Sequence, residues 1–323
     1  MAEVAFRRAI FEALDEELAD DDRVIFFGED VARAGGVFQV TPGLLERHGA
    51  QRVFDTPISE LALASAAFGA AVAGLRPVIE IMFADFLTLA MDSLVNQAAK
   101  YRFLSNDRAS VPLVVRSTVG GGGQFGAIHS QVPIPWFLGV PGLKIVAPSN
   151  PGDAKALLKA AIRDDDPVLF LEHKRLYAAT GEVDGEAVPL GRAHVVRPGS
   201  DVTVVTAMKG VQDALTAAEA LAARGIELEV VDLRTVRPLD VDTVLASVAR
   251  TNRLLAVEEG PRTGGWAGEL LARVAEEALG ELDDAWRLGA PDLPLPYSPP
   301  LEAAAMPSSE AIVQTIESRP GII

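Results

Sequence analysis

Between Asp55 and Arg76 the chain carries a single charge, Glu60, at the head of the apolar run Leu61–Leu75. A lone carboxyl group beside apolar surface is a candidate for proton transfer. The same residues also spell a helix start, with Ser59 as the cap and Glu60 favourable in the first turn. A second candidate is the stretch Ser117–Gln131, with four consecutive glycines at Gly120–Gly123 and a histidine at His129. Glycines let backbone come close to a ligand or partner, and they also serve as plain loop. His129 is either a proton donor near neutral pH or a hydrogen-bonded structural residue. The third is Ile162–Pro167, where Asp164, Asp165 and Asp166 stand in a row. They make either a solvated turn or, with backbone carbonyls, a seat for a hard cation.

The chain has no phosphate loop, no dinucleotide fingerprint, and no Gly-Asp-Gly with a following Asn-Asn pair to anchor a magnesium diphosphate. The nearest string, Val183-Asp184-Gly185-Glu186, lacks such an asparagine.

These candidates need elements to hold them. Short apolar runs at Val24–Phe27, Val78–Phe83, Val111–Arg116, Lys144–Ala147 and Val168–Glu172 alternate with helical patterns at about 3–19, 60–75, 87–104 and 152–163. That alternation predicts a parallel sheet covered on both faces. Ligand sites in such sheets lie beyond the carboxyl ends of the strands. The rule selects Gly28-Glu29-Asp30, Phe83–Phe86, the loop after Arg116 and the turn Pro148–Pro151. Residues 176–200 read as a linker, being short, polar and punctuated by glycine and proline. A smaller α/β domain follows, with apolar runs at Val202–Thr206, Leu228–Leu233 and Leu254–Glu258 between helices. Residues 290–300 are irregular because of their prolines, and a helix at about 308–317 comes last. The expected division is 1–185, a linker at 186–200, and 201–323. Leu61–Leu75 is too short to span a bilayer and predicts a buried helix. Its small residues Ala66, Gly69, Ala70, Ala73 and Gly74 serve either core packing or a subunit interface.

With 323 residues, two domains are expected, and 49% hydrophobic residues suffice for a large core. A net charge of −16 gives the chain little reason to bind nucleic acid or an anionic membrane. The absence of cysteine excludes disulfides and thiolate chemistry and points to a reducing, cytoplasmic compartment. The four histidines, His48, His129, His173 and His194, are not spaced as a zinc cluster. The charged amphipathic pattern of the first residues is not that of a secretory signal.

In order along the chain, GEDVARAGGVFQVTPGLLERHGAQRVFDTPISE, GLRPVIEIMFADFLTLAMDSLVNQAAKYRF, HSQ, VPGLKIVAPSNPGDAKALLKAAIRDDDPVLFLEHKRLY and EVVDLRTVRPLD resemble one family. It is the beta subunit of the thiamine-diphosphate-dependent component of 2-oxo acid dehydrogenases, of pyruvate, acetoin or branched-chain type. The resemblance runs from about residue 4 to about residue 315. It implies a transketolase-like pyrimidine-binding domain with a parallel sheet, followed by a transketolase C-terminal domain. It implies decarboxylation of a 2-oxo acid and acyl transfer to a lipoyl carrier. Glu60 matches the glutamate that activates the cofactor by hydrogen bonding to a pyrimidine nitrogen. Ile58, Met82 and Phe86 match residues packed on the aminopyrimidine ring, Phe86 by stacking. His129 matches a histidine that handles protons in acyl transfer. Leu113, Ala161, Ile162, Asp164 and Asp166 match a potassium site made mostly of backbone oxygens. An alpha subunit would supply the magnesium and diphosphate motif, in an α2β2 heterotetramer that works with a lipoyl acyltransferase core.

Two stretches depart from the family pattern, Val132–Trp136 and Ala207-Met208-Lys209, and they leave the substrate open. Acetoin cleavage, a role in specialised metabolism, and a non-catalytic structural subunit are the alternatives. Against the last stands the presence of Glu60 and Phe86. An unrelated nucleotide-binding protein is disfavoured by the missing phosphate loop.

Overall fold

The computed structural model describes residues 3–183, 185 and 187–319. Its larger sheet has seven strands, in the spatial order Thr235–Arg237, Lys144–Val146, Val168–His173, Val114–Val119, Arg76–Phe83, Val24–Gly28 and Val53–Asp55. All neighbours are parallel except the first pair. The central strands are buried along their whole length, as sheets covered on both faces require. The smaller sheet has five strands, in the order Asp284–Ala290, Arg253–Pro261, Val202–Thr206, Leu228–Asp232 and His194–Arg197. A short antiparallel pair, Glu3–Ala5 with Thr180–Glu182, completes the set.

Local chemistry explains the helix starts around the site. Ser59 caps helix Glu60–Val72, its side chain accepting from the Ala62 amide. Asn150 caps helix Pro151–Arg163 by accepting from the Asp153 amide, with proline at the first helical position.

Five expectations are corrected. The single helix expected over 87–104 is three pieces: a 3-10 segment Ala84–Ala90, a π-helical segment Asp92–Ala98 and an α-helix Ala99–Leu104. Asp92 accepts from Asn96 at 2.9 Å and from Gln97 at 2.8 Å, and the second, five residues on, suits the wider π turn. The stretch expected as linker carries Thr180–Glu182 and the edge strand His194–Arg197, which pairs antiparallel with Leu228–Asp232. Strand Thr235–Arg237 leaves the second domain and closes the edge of the first sheet against Lys144–Val146. Within 290–300, Pro299 already opens a helix, Pro299–Ala305. Helix Glu60–Val72 is not wholly buried. Leu63, Ala64, Ala67 and Ala71 face the core, whereas Leu61, Ala62, Ser65, Ala66, Gly69 and Val72 are exposed.

One hydrophobic core runs across both domains, and a second, smaller one lies within the C-terminal domain. Polar contacts add to it: Ser149 bonds the buried Asp232, and Arg234 pairs with Asp153 at 2.8 Å. Val132, Ile134 and Pro135 meet Ala207, Met208 and Trp266 in one interdomain crevice. The two unusual stretches of sequence thus pack on each other.

Candidate active site

Five strand ends of the large sheet converge on one edge. Glu29 follows Val24–Gly28, Glu60 follows Val53–Asp55, and Asp85 and Phe86 follow Arg76–Phe83. His129 lies in the loop after Val114–Val119, and Lys174 follows Val168–His173. This is the carboxyl edge, where an open α/β sheet leaves room for a ligand.

Glu60 is buried at the start of its helix. Glu29 is buried beside it, and its Oε1 has no hydrogen-bond partner. Burial raises the Glu29 pKa, and the Glu60 charge raises it further, against a hydrogen bond from the Ser59 amide. Both causes favour the protonated form of Glu29. Asp55 braces this corner by accepting from the Ala32 amide at 2.7 Å and the Arg33 amide at 3.2 Å.

Met82 and Phe86 are half-buried, and Ile58 is 81% exposed. The His129 ring stands edge-on to Phe83, centroids 4.5 Å apart, and to Phe86 at 5.4 Å. Leu61, Leu89 and Ile128 are also exposed. Apolar side chains open to water on the rim of a site mark a surface made to be covered.

The glycine-rich loop has its own anchors in the second domain. Glu259 accepts from the Gly121 amide at 2.6 Å, and Glu302 accepts from Gly122 at 2.9 Å and Gln124 at 3.2 Å. A side chain on Gly120, at φ +92°, would run into the His173 ring, and one on Gly121 into Leu295 and Met306. His173 bonds Glu259 at 2.6 Å. Burial would raise the Glu259 pKa, but His173 and the Gly121 amide outweigh it and bring it to about 2. The glycines therefore serve close approach, Gly120 to His173 within the first domain and Gly121 across to the second. Sequence reasoning missed these carboxylates and Lys174, and selected the stretch Phe83–Phe86 without singling out Asp85, because charges without a spacing pattern carry no local signal.

The remaining candidates are elsewhere. Leu113 and Asp164–Asp166 precede strands Val114–Val119 and Val168–His173, at the opposite edge of the sheet. About 20 Å of strand separates them from the carboxyl edge, at ~3.3 Å per residue. Arg76 donates to the Ile162 carbonyl at 2.8 Å, the Asp164 carbonyl at 2.7 Å and the Asp165 carboxylate at 3.0 Å. Lys144 holds the Asp164 carboxylate and Arg102 the Asp166 carboxylate, both at 2.6 Å. Three acids thus meet three cations. The Leu113 and Ala161 carbonyls accept backbone hydrogen bonds. The turn Pro148–Pro151 serves the domain contact and the helix cap. Among the described residues no group of three or more His, Cys, Asp or Glu side chains is arranged to hold a metal ion. No described helix is long and apolar enough to cross a membrane.

Comparison with known proteins adds a family. The transketolase pyrimidine-binding domain model matches residues 2–180, and the transketolase C-terminal domain model matches 191–312. The chain is 46% identical over 322 residues to the acetoin:2,6-dichlorophenolindophenol oxidoreductase subunit beta of Cupriavidus necator, covering 96% of this chain and 95% of that one. It is 44% identical over 319 residues to the mitochondrial pyruvate dehydrogenase E1 component subunit beta-1 of Arabidopsis thaliana, covering 97% and 88%. It is 45% identical over 317 residues to the 2-oxoisovalerate dehydrogenase subunit beta of Bacillus subtilis, covering 97% of each. A solved split-gene transketolase, an inactive beta4 tetramer, has the same fold, with a TM-score of 0.82, 21% identity, and 98% and 97% of the two chains covered.

Proposed function

The chain belongs to the family of beta subunits of 2-oxo acid dehydrogenase E1 components, and on that premise we propose that it holds the aminopyrimidine half of thiamine diphosphate in a site shared with an alpha subunit. The observation that carries this reading is the buried Glu60 carboxyl at a helix start, with its charge acting on buried Glu29, on the same carboxyl edge of the sheet as half-buried Met82 and Phe86. A polar ring with an apolar face fits there. Glu60 would hydrogen-bond a ring nitrogen, Met82, Ile58 and Phe86 would flank the ring, and the buried Glu29 Oε1, which has no hydrogen-bond partner, would be open to a further polar contact. When bound, the cofactor supplies the carbon nucleophile that attacks a 2-oxo carbonyl.

This chain's residues then do three things. Glu60 would carry a proton at the ring nitrogen, and Glu29, whose protonated form is favoured by burial and by the Glu60 charge, would be a second proton-carrying group nearby. The Phe83 and Phe86 rings hold the His129 imidazole in place. His129 moves a proton during acyl transfer to a lipoyl carrier, since an imidazole can both give and take one.

Magnesium and the diphosphate would be held by the alpha subunit in an α2β2 assembly, with a lipoyl acyltransferase core as the next partner. The exposed face of helix Glu60–Val72, with Ala62, Ser65, Ala66 and Gly69, offers close backbone approach for that alpha subunit. A cytoplasmic site of action is our proposal from the composition; the Arabidopsis relative is named mitochondrial. Acetoin cleavage is the second reading, supported by the 46% identity to the acetoin oxidoreductase subunit.

Calorimetry tests the shared site. The purified chain titrated with magnesium and thiamine diphosphate should give no micromolar binding, and adding the alpha subunit should restore it. Micromolar binding by the chain alone would overturn the shared-site reading.

We also propose a potassium ion at the turn of Asp164 and Asp166. The Leu113, Ala161, Ile162 and Asp164 carbonyls each accept a hydrogen bond and, having two lone pairs, can also face a cation. A ligand bound only by the folded state raises the melting temperature. Melting should therefore be higher in potassium chloride than in matched sodium chloride. Identical curves would leave the acids balanced by Arg76, Lys144 and Arg102 alone.

A further inference from the structure

Lys174 lies half-buried at the end of strand Val168–His173. Its ammonium donates to the His129 carbonyl at 2.6 Å. It also stands 5.4 Å from the Phe83 and Phe125 ring centroids, where a cation is attracted by the ring face. Phe83 is the ring on which the His129 imidazole rests. Lys174 thus grips the backbone of His129 and the aromatic wall behind its ring together.

The alternative is that Lys174 merely neutralises acids. Asp85, Glu259 and Glu302 all act on it electrostatically, but it makes no salt bridge with any of them among the described residues. Its close polar contact is a neutral carbonyl. Among the described residues no other side chain hydrogen-bonds to His129. The rest of the loop has separate anchors: Glu259 and Glu302 at Gly121 and Gly122, and Asp85 at Gln131, whose side chain donates to it at 2.8 Å. Lys174 holds the stretch that carries the imidazole.

We propose that Lys174 is a positioning residue for His129, fixing where the imidazole points during acyl transfer. The inference rests on the reading of His129 as the residue that handles protons in that step. Burial pushes the Lys174 pKa down to about 8, against the charges of Asp85, Glu259 and Glu302. The grip on His129 therefore weakens as pH rises through that value, because the neutral amine is the poorer donor.

The test uses the assembled enzyme with its alpha subunit. Two assays run in parallel: decarboxylation with an artificial electron acceptor, and acylation of a lipoyl domain. Misplacing a catalytic group by about 1 Å costs on the order of a hundredfold. Lys174→Met should therefore lose ~10- to 100-fold in lipoyl acylation, with little change in decarboxylation. Lys174→Arg, charged at every working pH, should restore most of the acylation and move its alkaline limb to higher pH. Hydrogen exchange should quicken in residues 126–132 of Lys174→Met and not in the sheet. Wild-type acylation by Lys174→Met, or an equal loss in both assays, would overturn the proposal. So would an unmoved alkaline limb in Lys174→Arg, which also serves as the test if Lys174→Met fails to assemble. His129→Ala separates the two ideas. If it acylates normally, the role of His129 falls. If it is impaired and Lys174→Met is not, only the positioning role falls.

Discussion

Glu60→Gln should assemble normally with the alpha subunit and lose ~10²- to 10⁴-fold in turnover, the range for removing a positioned acid–base group. The amide keeps the shape of the carboxyl, and the Ser59 cap on the Ala62 amide does not involve it. What disappears is the proton that Glu60 gives to or takes from a ring nitrogen. The loss should therefore appear before any 2-oxo acid is added, as slow exchange of the thiazolium proton, measured by quenched-flow NMR on the assembled enzyme. Glu29 should change with it. Its pKa is raised by burial and then by the Glu60 charge, so an uncharged neighbour lets it fall. Exchange at the wild-type rate in Glu60→Gln would refute the assignment.

Arg116→Met should cost the fold about 3–5 kcal/mol, the usual loss when one partner of a buried charge network is removed. Arg116 is 1% exposed and lies in the central strand of the large sheet. It donates to Glu80 at 2.8 Å and to both oxygens of Glu172 at 2.7 Å and 2.9 Å, and Tyr177 donates to Glu172 at 2.9 Å. Methionine fills part of the space but leaves two carboxyl groups facing each other in the core. Domains are stable by about 5–15 kcal/mol, so this loss is a large fraction. Burial already raises the Glu80 pKa, with Arg116 holding it back. Without Arg116 it rises further. A carboxyl whose folded pKa exceeds its unfolded value binds protons more tightly when folded, so stability falls as pH rises through that window. The melting gap between variant and wild type should be wider near about pH 7.5 than near about pH 5. A loss under about 1 kcal/mol, or a gap that widens in acid, would mean that the network is not as dry as its burial implies.

Much of this fold is readable from apolar periodicity. Val24–Phe27 and Val168–Glu172 have no polar alternation, and both became buried parallel strands. Glu60 stood out because it is one charge in a long apolar stretch, and Ser59 marked the helix start. The strand Thr235–Arg237 was not readable. Three residues carry no pattern, and their partner Lys144–Val146 lies in the other domain. His173-Lys174-Arg175 looks like a solvated basic run, yet its members diverge: His173 pairs with Glu259, Lys174 turns to His129, and Arg175 is exposed.

The family resemblance, and not spacing, favoured Glu60 over its helix-start reading; residue order alone specified most of the element types and the carboxyl-edge loops. These follow from which side chains avoid water and at what spacing, and spacing is local. Only the tertiary structure decided that Glu29 shares the dry corner of Glu60, and that Arg116 joins Glu80 and Glu172. It also decided that Glu259 and Glu302 reach across the domain boundary to the glycine loop. Each of those depends on distance and burial between groups far apart in the chain. Electrostatic and hydrogen-bond energies follow separation in space and the water left between charges, which residue order does not record.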